Sequence, residues 1–179
     1  GGVPPTVPAM TINKVCGSGL KAVMLAAQSI RSGDGQVVVA GGMESMSNVP
    51  FYLQGHRTGV KFGDRTLVDG LIHDGLWCSF GNCHMGGHAE YTADAAGITR
   101  EMADDFAYHS HRKAVEAMDA GKFDPEVVPV EIQGRRGVTV VDADESPRRD
   151  TSMEALGKLR PAFPKDAPPE IENLVVTAG

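Results

Sequence analysis

An α/β fold is what the sequence predicts: the β-α-β half of a layered α/β core, into which an α+β loop domain is inserted. Three observations carry that expectation. Residues 9–13 alternate apolar and polar side chains. Residues 18–30 set Leu20, Val23, Met24, Ala27 and Ile30 at the spacing of a helix. Residues 36–40, Gln-Val-Val-Val-Ala, form the unbroken β-branched run of a strand covered on both faces. The helix between them should stop near Gly33. Residues 41–48, Gly-Gly-Met-Glu-Ser-Met-Ser-Asn, then fall at the carboxyl end of the second strand, where open α/β sheets place their ligands.

Beyond Pro50 the pattern dissolves, and up to Gly75 no period is held for long. Two helices follow. Residues 85–96 have Gly97 as a stop, and residues 99–120 open on Thr99 as N-cap, carry acids in the first turns and end at Gly121. Residues 127–133 and 138–142 read as two strands around Gly134-Arg135-Arg136-Gly137, a hairpin signal. Residues 143–170 form a loop rich in charge and proline, and residues 174–179 form a last apolar strand. The chain therefore divides into a core segment (1–49), an inserted domain (50–166) and a return to the core (167–179). A parallel sheet of this kind needs both faces covered, so the plan is complete only with more chain packed beside it.

Composition narrows the function. Lys+Arg 17 against Asp+Glu 23 gives a net charge of -6, with no basic surface for nucleic acid or an anionic membrane. No apolar run approaches the roughly 18 residues of a membrane span. Three cysteines in 179 residues fit free thiols in a reducing compartment, the cytoplasm, better than a disulfide scaffold. The N-terminus, Gly1-Gly2-Val3-Pro4-Pro5, has neither an initiator Met nor a charged leader and reads as a piece of something longer. Glycine, 22 of 179, is well above the usual ~7% and points to tight turns and close backbone approaches.

The sharpest local feature is Val15-Cys16-Gly17-Ser18-Gly19-Leu20-Lys21-Ala22, a cysteine where a strand meets a helix N-terminus. Unpaired N–H groups and the helix dipole there suit a thiolate nucleophile, and the glycines let a substrate carbonyl approach the backbone. The competing reading is a small buried hydrophobe. Gly17-x-Gly19-x-x-Ala22, with Glu44 after the next strand, also matches a dinucleotide fingerprint, although Asn13 and Lys14 fit poorly into the strand before it. Cys78-x4-Cys83-His84-x3-His88 has the look of a zinc site, but adjacent Cys83 and His84 can seldom reach one tetrahedral ion, so no metal is expected. Asp142, Asp144 and Glu145 lack the glycine and downstream glutamate of a calcium loop. Met24 and Met118 sit at helical spacing and belong to the core, whereas Met43, Met46 and Met85 lie on glycine-flanked turns. Arg135-Arg136 and Arg148-Arg149 face solvent or the phosphates of a nucleotide-like ligand.

Taken together, five segments resemble a thiolase of the acetyl-CoA acetyltransferase type: residues 13–22, residues 39–47, His84-Met85-Gly86, Lys158-Leu159-Arg160-Pro161-Ala162-Phe163 and Val176-Thr177-Ala178-Gly179. They occur in the family's order through essentially the whole chain, which displaces the dinucleotide and zinc readings. The resemblance implies a thiolase-like fold, a transferase of fatty acid and ketone metabolism, and an acyl-enzyme on Cys16. That cysteine would take an acetyl group from acetyl-CoA, and a second acetyl-CoA would attack it to give acetoacetyl-CoA; thiolysis is the reverse. The Cys16 backbone N–H would help hold the thioester oxygen. The inserted domain, which begins at Pro50, would bind coenzyme A through Leu76, His84, Met85, Arg148, Ala162 and Phe163, with Ala178 reaching the pocket from the last strand. Coenzyme A thioesters enter as substrates with no permanently bound cofactor, and the family implies a homo-oligomer, dimer or tetramer. His84-Met85 resembles the short-chain, acetoacetyl-specific members.

Departures from the pattern matter as well. The family's catalytic histidine and second cysteine have no counterpart among the 179 residues, so the chain resembles an interior piece that would not turn over alone. Ala155 stands where many members have Ser, and Phe62 where Met is common. The alternative function is a non-catalytic thiolase-like protein that binds coenzyme A or acyl-CoA.

Overall fold

The computed structural model describes residues 2–179. The chain forms two compact units, one ending at Trp77 and one comprising Cys78–Gly179.

In the first unit the helix expected after Cys16 forms as α1, Ser18–Ser32. Gly33 ends it in the left-handed region at φ 83°, where its N–H reaches the Ile30 and Ser29 carbonyls, a turn that glycine makes without steric penalty. At its other end α1 meets residues 41–42 backbone to backbone. A Cβ on Gly42 would stand 2.8 Å from the Gly19 Cα, so Gly42 has no room for a side chain, Gly19 has little, and the Gly41-Gly42-Met43 turn is brought beside the cysteine turn. Further along, β1 (Phe51–Tyr52) pairs antiparallel with β2 (Val68–Asp69), and a π-helical turn, Leu71–Leu76, follows.

The strands expected at residues 9–13 and 36–40 carry no sheet ladder among the described residues. Val37 and Val39 are 88% and 93% exposed, and Leu20, Val23, Met24 and Ile30 on α1 are exposed too. The reason is physical: a strand exists through its neighbours, and a both-faces-apolar strand needs a paired strand and covering helices. The helix, whose hydrogen bonds are internal, forms without them.

At the boundary, β3 (Trp77–Cys78) and β4 (Cys83–His84) form a short two-stranded ribbon, and in the second unit β4 leads into α2, Met85–Ala95. Then comes α3, Arg100–Asp119, capped by the Thr99 hydroxyl accepting the Met102 amide at 3.2 Å. The predicted hairpin appears as β5 (Val130–Gly134) and β6 (Gly137–Val141), joined by the two-residue turn Arg135-Arg136. Within the segment expected to be loop lies a short helix, α4, Met153–Gly157, capped by Ser152.

Arg100 ties α3 to the chain around α4. Its Nε meets both Asp104 carboxylate oxygens at 2.8 and 2.9 Å, and its other nitrogens donate to the Leu159 and Leu156 carbonyls. Leu156, Ile171 and Val175 form the buried apolar centre. Beside them, Glu90 is 1% exposed; its two carboxylate oxygens accept the Val175 and Val176 amides at 2.8 and 3.0 Å. Residues 174–179 thus make no strand ladder, contrary to expectation, but are held by Glu90 and by the Ala162 amide, which donates to the Val176 carbonyl at 2.9 Å. Among the described residues no helix is long and apolar enough to cross a membrane.

Candidate functional site

Cys16 lies exposed at the entrance to α1. The turn that presents it is closed by local bonds. The Gly17 amide donates to the Lys14 carbonyl at 3.0 Å, and the Ser18 hydroxyl donates to the Val15 carbonyl at 2.7 Å while accepting the Lys14 amide at 2.8 Å. Asn13 adds its side-chain oxygen to the Val15 amide at 2.8 Å. Val15 itself stands at φ 48°, a conformation that β-branched residues rarely adopt. Such strain is retained where surrounding bonds over-determine the backbone, as they do here. Among the described residues the Cys16, Gly19 and Leu20 amides have no protein acceptor, so several N–H groups remain at the helix start beside an exposed thiol. Chemically, the turn can offer a nucleophile and donors for an oxyanion.

Leu76 closes the π-helical turn in the same unit. Two residues before it, the Asp74 carboxylate accepts the Tyr52 hydroxyl at 2.6 Å and meets His73 Nδ1 at 2.6 Å. These bonds hold the Asp74 carboxyl below its ordinary value, the Tyr52 bond being the larger cause, and push the Tyr52 phenol above its own.

In the second unit His84 and Phe163, 79 positions apart by their numbers, stack ring on ring with centroids 4.6 Å apart and planes 23° apart. His84 caps α2 by accepting the Gly86 amide at Nδ1, 3.0 Å, and its own amide donates to Asp166 at 3.0 Å. Met85 follows on α2 at 45% exposure, and Ala162 is fixed beside Phe163 by its bond to Val176. His84, Met85, Ala162 and Phe163 therefore gather about one end of α2.

Arg148 and Ala178 line a cleft of about 690 Å³ with His111, Glu145 and Arg149. The Arg148 amide donates to His111 Nδ1 at 3.1 Å, which pins the loop to α3. Arg149 is committed to Asp119 through two contacts at 2.8 and 3.0 Å, and the Asp119 carboxyl is held below its usual range by them. Arg148 reaches Asp150 only at 3.7 Å and keeps its guanidinium largely open. Among the described residues lining the cleft, Arg148 is thus the more weakly paired of the two arginines. His111 and Asp166 stand outside every sequence motif; a half-buried histidine on a helix and a loop aspartate give no local signal.

Cys78, Cys83 and His88, singled out for their spacing, do lie near one another. Cys83 Sγ is 3.6 Å from His88 Nε2. Among the described residues, no group of three or more His, Cys, Asp or Glu is arranged to hold a metal ion.

Residues 1–168 match the family model described as Thiolase, N-terminal domain. The chain is 52% identical over 166 residues to an acetyl-CoA acetyltransferase of Pseudomonas aeruginosa, and 53% identical over 165 residues to one of Cupriavidus necator. A third relative of the same name, from Allochromatium vinosum, is 54% identical over 166 residues. Each alignment takes in 92% of this chain and 42% of the relative, so the chain spans about two fifths of the length of these proteins.

Proposed function

This chain belongs to the thiolase family, with that family's α/β fold, and from that premise we propose that it carries the acyl-accepting half of an acetyl-CoA C-acetyltransferase. In this reading the Cys16 thiolate attacks the thioester carbonyl of acetyl-CoA. The new C–S bond forms as the bond to coenzyme A breaks, and the leaving thiolate takes up a proton. A second acetyl-CoA, as its α-carbanion, then attacks the acetyl-Cys16 carbonyl; Cys16 leaves as thiolate and acetoacetyl-CoA departs. Thiolysis runs the same steps backwards. The α-proton is not assigned to any residue of this chain.

One observation carries the proposal: an exposed cysteine at a helix entrance whose turn is locked by Asn13 and Ser18, beside amides left without protein acceptors. Oxyanion donors of this kind contribute roughly 10²–10³ in rate where they have been removed one at a time. His84, Met85, Ala162 and Phe163 form the proposed wall for the pantetheine arm. Arg148, with Ala178 on the same cleft, is the proposed partner of a coenzyme A phosphate, and Leu76 completes the reading. Residues 50–166 are proposed as the inserted coenzyme A domain. A homo-oligomer in the cytoplasm remains part of the proposal.

Intact mass after brief exposure to acetyl-CoA tests the reading, followed by mapping of any adduct, on this chain and on the full-length protein, each beside its Cys16→Ser variant. An acetyl group on Cys16 of the full-length protein, absent from the variant, is the expected result. Saturable coenzyme A binding with no adduct would instead leave a thiolase-like binding protein.

A further inference from the structure

The second unit holds a group of reactive side chains that the proposed acyl transfer does not use. Cys78 is the last residue of β3 and Cys83 the first of β4, so the two flank the four-residue turn 79–82 that closes the ribbon. Their thiols both border Gly81. The Gly81 amide donates to Cys78 Sγ at 3.3 Å, and a Cβ on Gly81 would stand 3.2 Å from Cys83 Sγ. The same Cβ would lie 2.9 Å from His88 Nε2, so an imidazole from the first turns of α2 faces the same spot. His88 Nε2 is 3.6 Å from Cys83 Sγ. The Cys78 thiol is held below its ordinary value, chiefly by the Gly81 amide and then by His88. Both thiols are half-buried, His88 is exposed, and solvent reaches all three.

From this geometry we infer that Cys78 and Cys83 are a reversible dithiol–disulfide pair, with His88 as the group that accepts the proton of the attacking thiol. The two cysteines flank a four-residue turn and both sulfurs border Gly81, so a link between them would close a short loop across the ribbon. Oxidation is a thiol–disulfide exchange with a small-molecule disulfide. The first thiolate attacks one sulfur of that reagent, forming a mixed disulfide and expelling one thiolate. The second cysteine attacks the protein-bound sulfur, its proton passing to His88 and then to water, and the second reagent thiolate leaves. Two protein thiols become one disulfide, and one small disulfide becomes two thiols. Gly81 is part of the device, because any side chain there would separate the thiols from the imidazole.

Location gives the pair a consequence, which rests on the function proposed above. His84 follows Cys83 directly and is both the N-cap of α2 and the ring stacked on Phe163. A disulfide that tightens the ribbon acts one residue away from the proposed coenzyme A wall.

The test equilibrates the full chain, carrying Cys16→Ser to remove the remaining thiol, in glutathione buffers of graded oxidised to reduced ratio. Free thiols are then counted by alkylation and mass, and peptides are mapped. Expected is a product lighter by two hydrogens, with a Cys78–Cys83 link and full recovery of both thiols on reduction. His88→Gln should slow its formation several-fold and leave the final extent unchanged. Stable glutathione adducts on single cysteines, or links only between molecules, would overturn the pairing; an unchanged rate in His88→Gln, with the link still formed, would overturn the role of His88. Coenzyme A binding by the reduced and oxidised forms is measured separately. A disulfide that forms without altering binding keeps the redox pair and removes only its link to the proposed ligand wall.

Discussion

The ring of Phe163 fills the space beside Gly86 so fully that a Cβ built on that glycine would overlap it. Two segments distant in sequence, one opening α2 and one following α4, are therefore fitted to each other at a buried glycine. In an open helix Gly→Ala stabilises by about 0.5–1 kcal/mol. Here the overlap should win, since overpacking of a closed site costs about 1–3 kcal/mol. Gly86→Ala is expected to destabilise, and Phe163→Ala in the same chain should return part of the loss. Urea unfolding of the four members of that cycle measures the coupling; strictly additive effects would remove the fit as its cause.

Glu90 makes a second long-range tie, and its chemistry predicts a sharp response. Both carboxylate oxygens are occupied by the Val175 and Val176 amides, in a residue 1% exposed. Glu90→Gln keeps the shape but turns one acceptor into a donor facing another donor, which should cost about 1–3 kcal/mol. Glu90→Ala leaves both amides without their partner and should cost more. Amide exchange at Val175 and Val176 localises the effect: both should lose protection in the variants before α3 does.

What the sequence made legible depended on where the stabilising partner lies. The helix α1 could be read because Leu20, Val23, Met24, Ala27 and Ile30 mark one face and Gly33 supplies its own stop. Thr99 announced α3 through a bond only three residues long, and the glycines around Arg135-Arg136 announced the hairpin. The strand at residues 36–40 could not be settled in this way, for a β-branched run becomes a strand only against a neighbour, and here it stays exposed. α4 is five residues long, too short to show a period. The candidate site divides similarly. Cys16, His84 and Phe163 sit in recognisable motifs, whereas the contributions of His111 and Asp166 arise from contacts with residues far along the chain, to which a local pattern is blind.

The Tyr52–Asp74 pair gives a pH prediction whose sign can be worked through. The phenol is pushed above its usual 10.0, first by its hydrogen bond to the carboxylate; that stabilisation is complete below pH 10 and fades as pH rises through the raised value. The carboxyl is lowered from its usual 3.8, so its share is complete above that pH and fades as pH falls through the lowered value. The pair therefore supports β1 and the Leu71–Leu76 turn across the whole window between. In an absorbance titration one of the three tyrosines should ionise late, and Asp74→Ala should bring it back to the ordinary range. A late phenol that persists in Asp74→Ala would assign the shift to another cause.

Neighbouring arginines on the cleft should behave differently. Arg149 holds Asp119 through two close contacts, whereas among the described residues Arg148 pairs with Asp150 at the longer 3.7 Å. Both pairs are exposed, and exposed pairs contribute about 0–1 kcal/mol, so neither Arg148→Met nor Arg149→Met should alter stability much. Binding should separate them. If Arg148 meets a coenzyme A phosphate, losing that charge-assisted bond removes about 1.5–3 kcal/mol, a weakening of roughly tenfold or more. Arg149→Met removes a cation already neutralised by Asp119 and should weaken binding far less. Calorimetric titration of the full chain with coenzyme A measures both, and pantetheine, which lacks the phosphates, is the control that isolates the charge: its affinity should be the same in Arg148→Met as in the parent chain. Equal losses in the two variants would point to the general field of the cleft, and a loss that extends to pantetheine would point to a displaced loop at His111 in place of a phosphate contact.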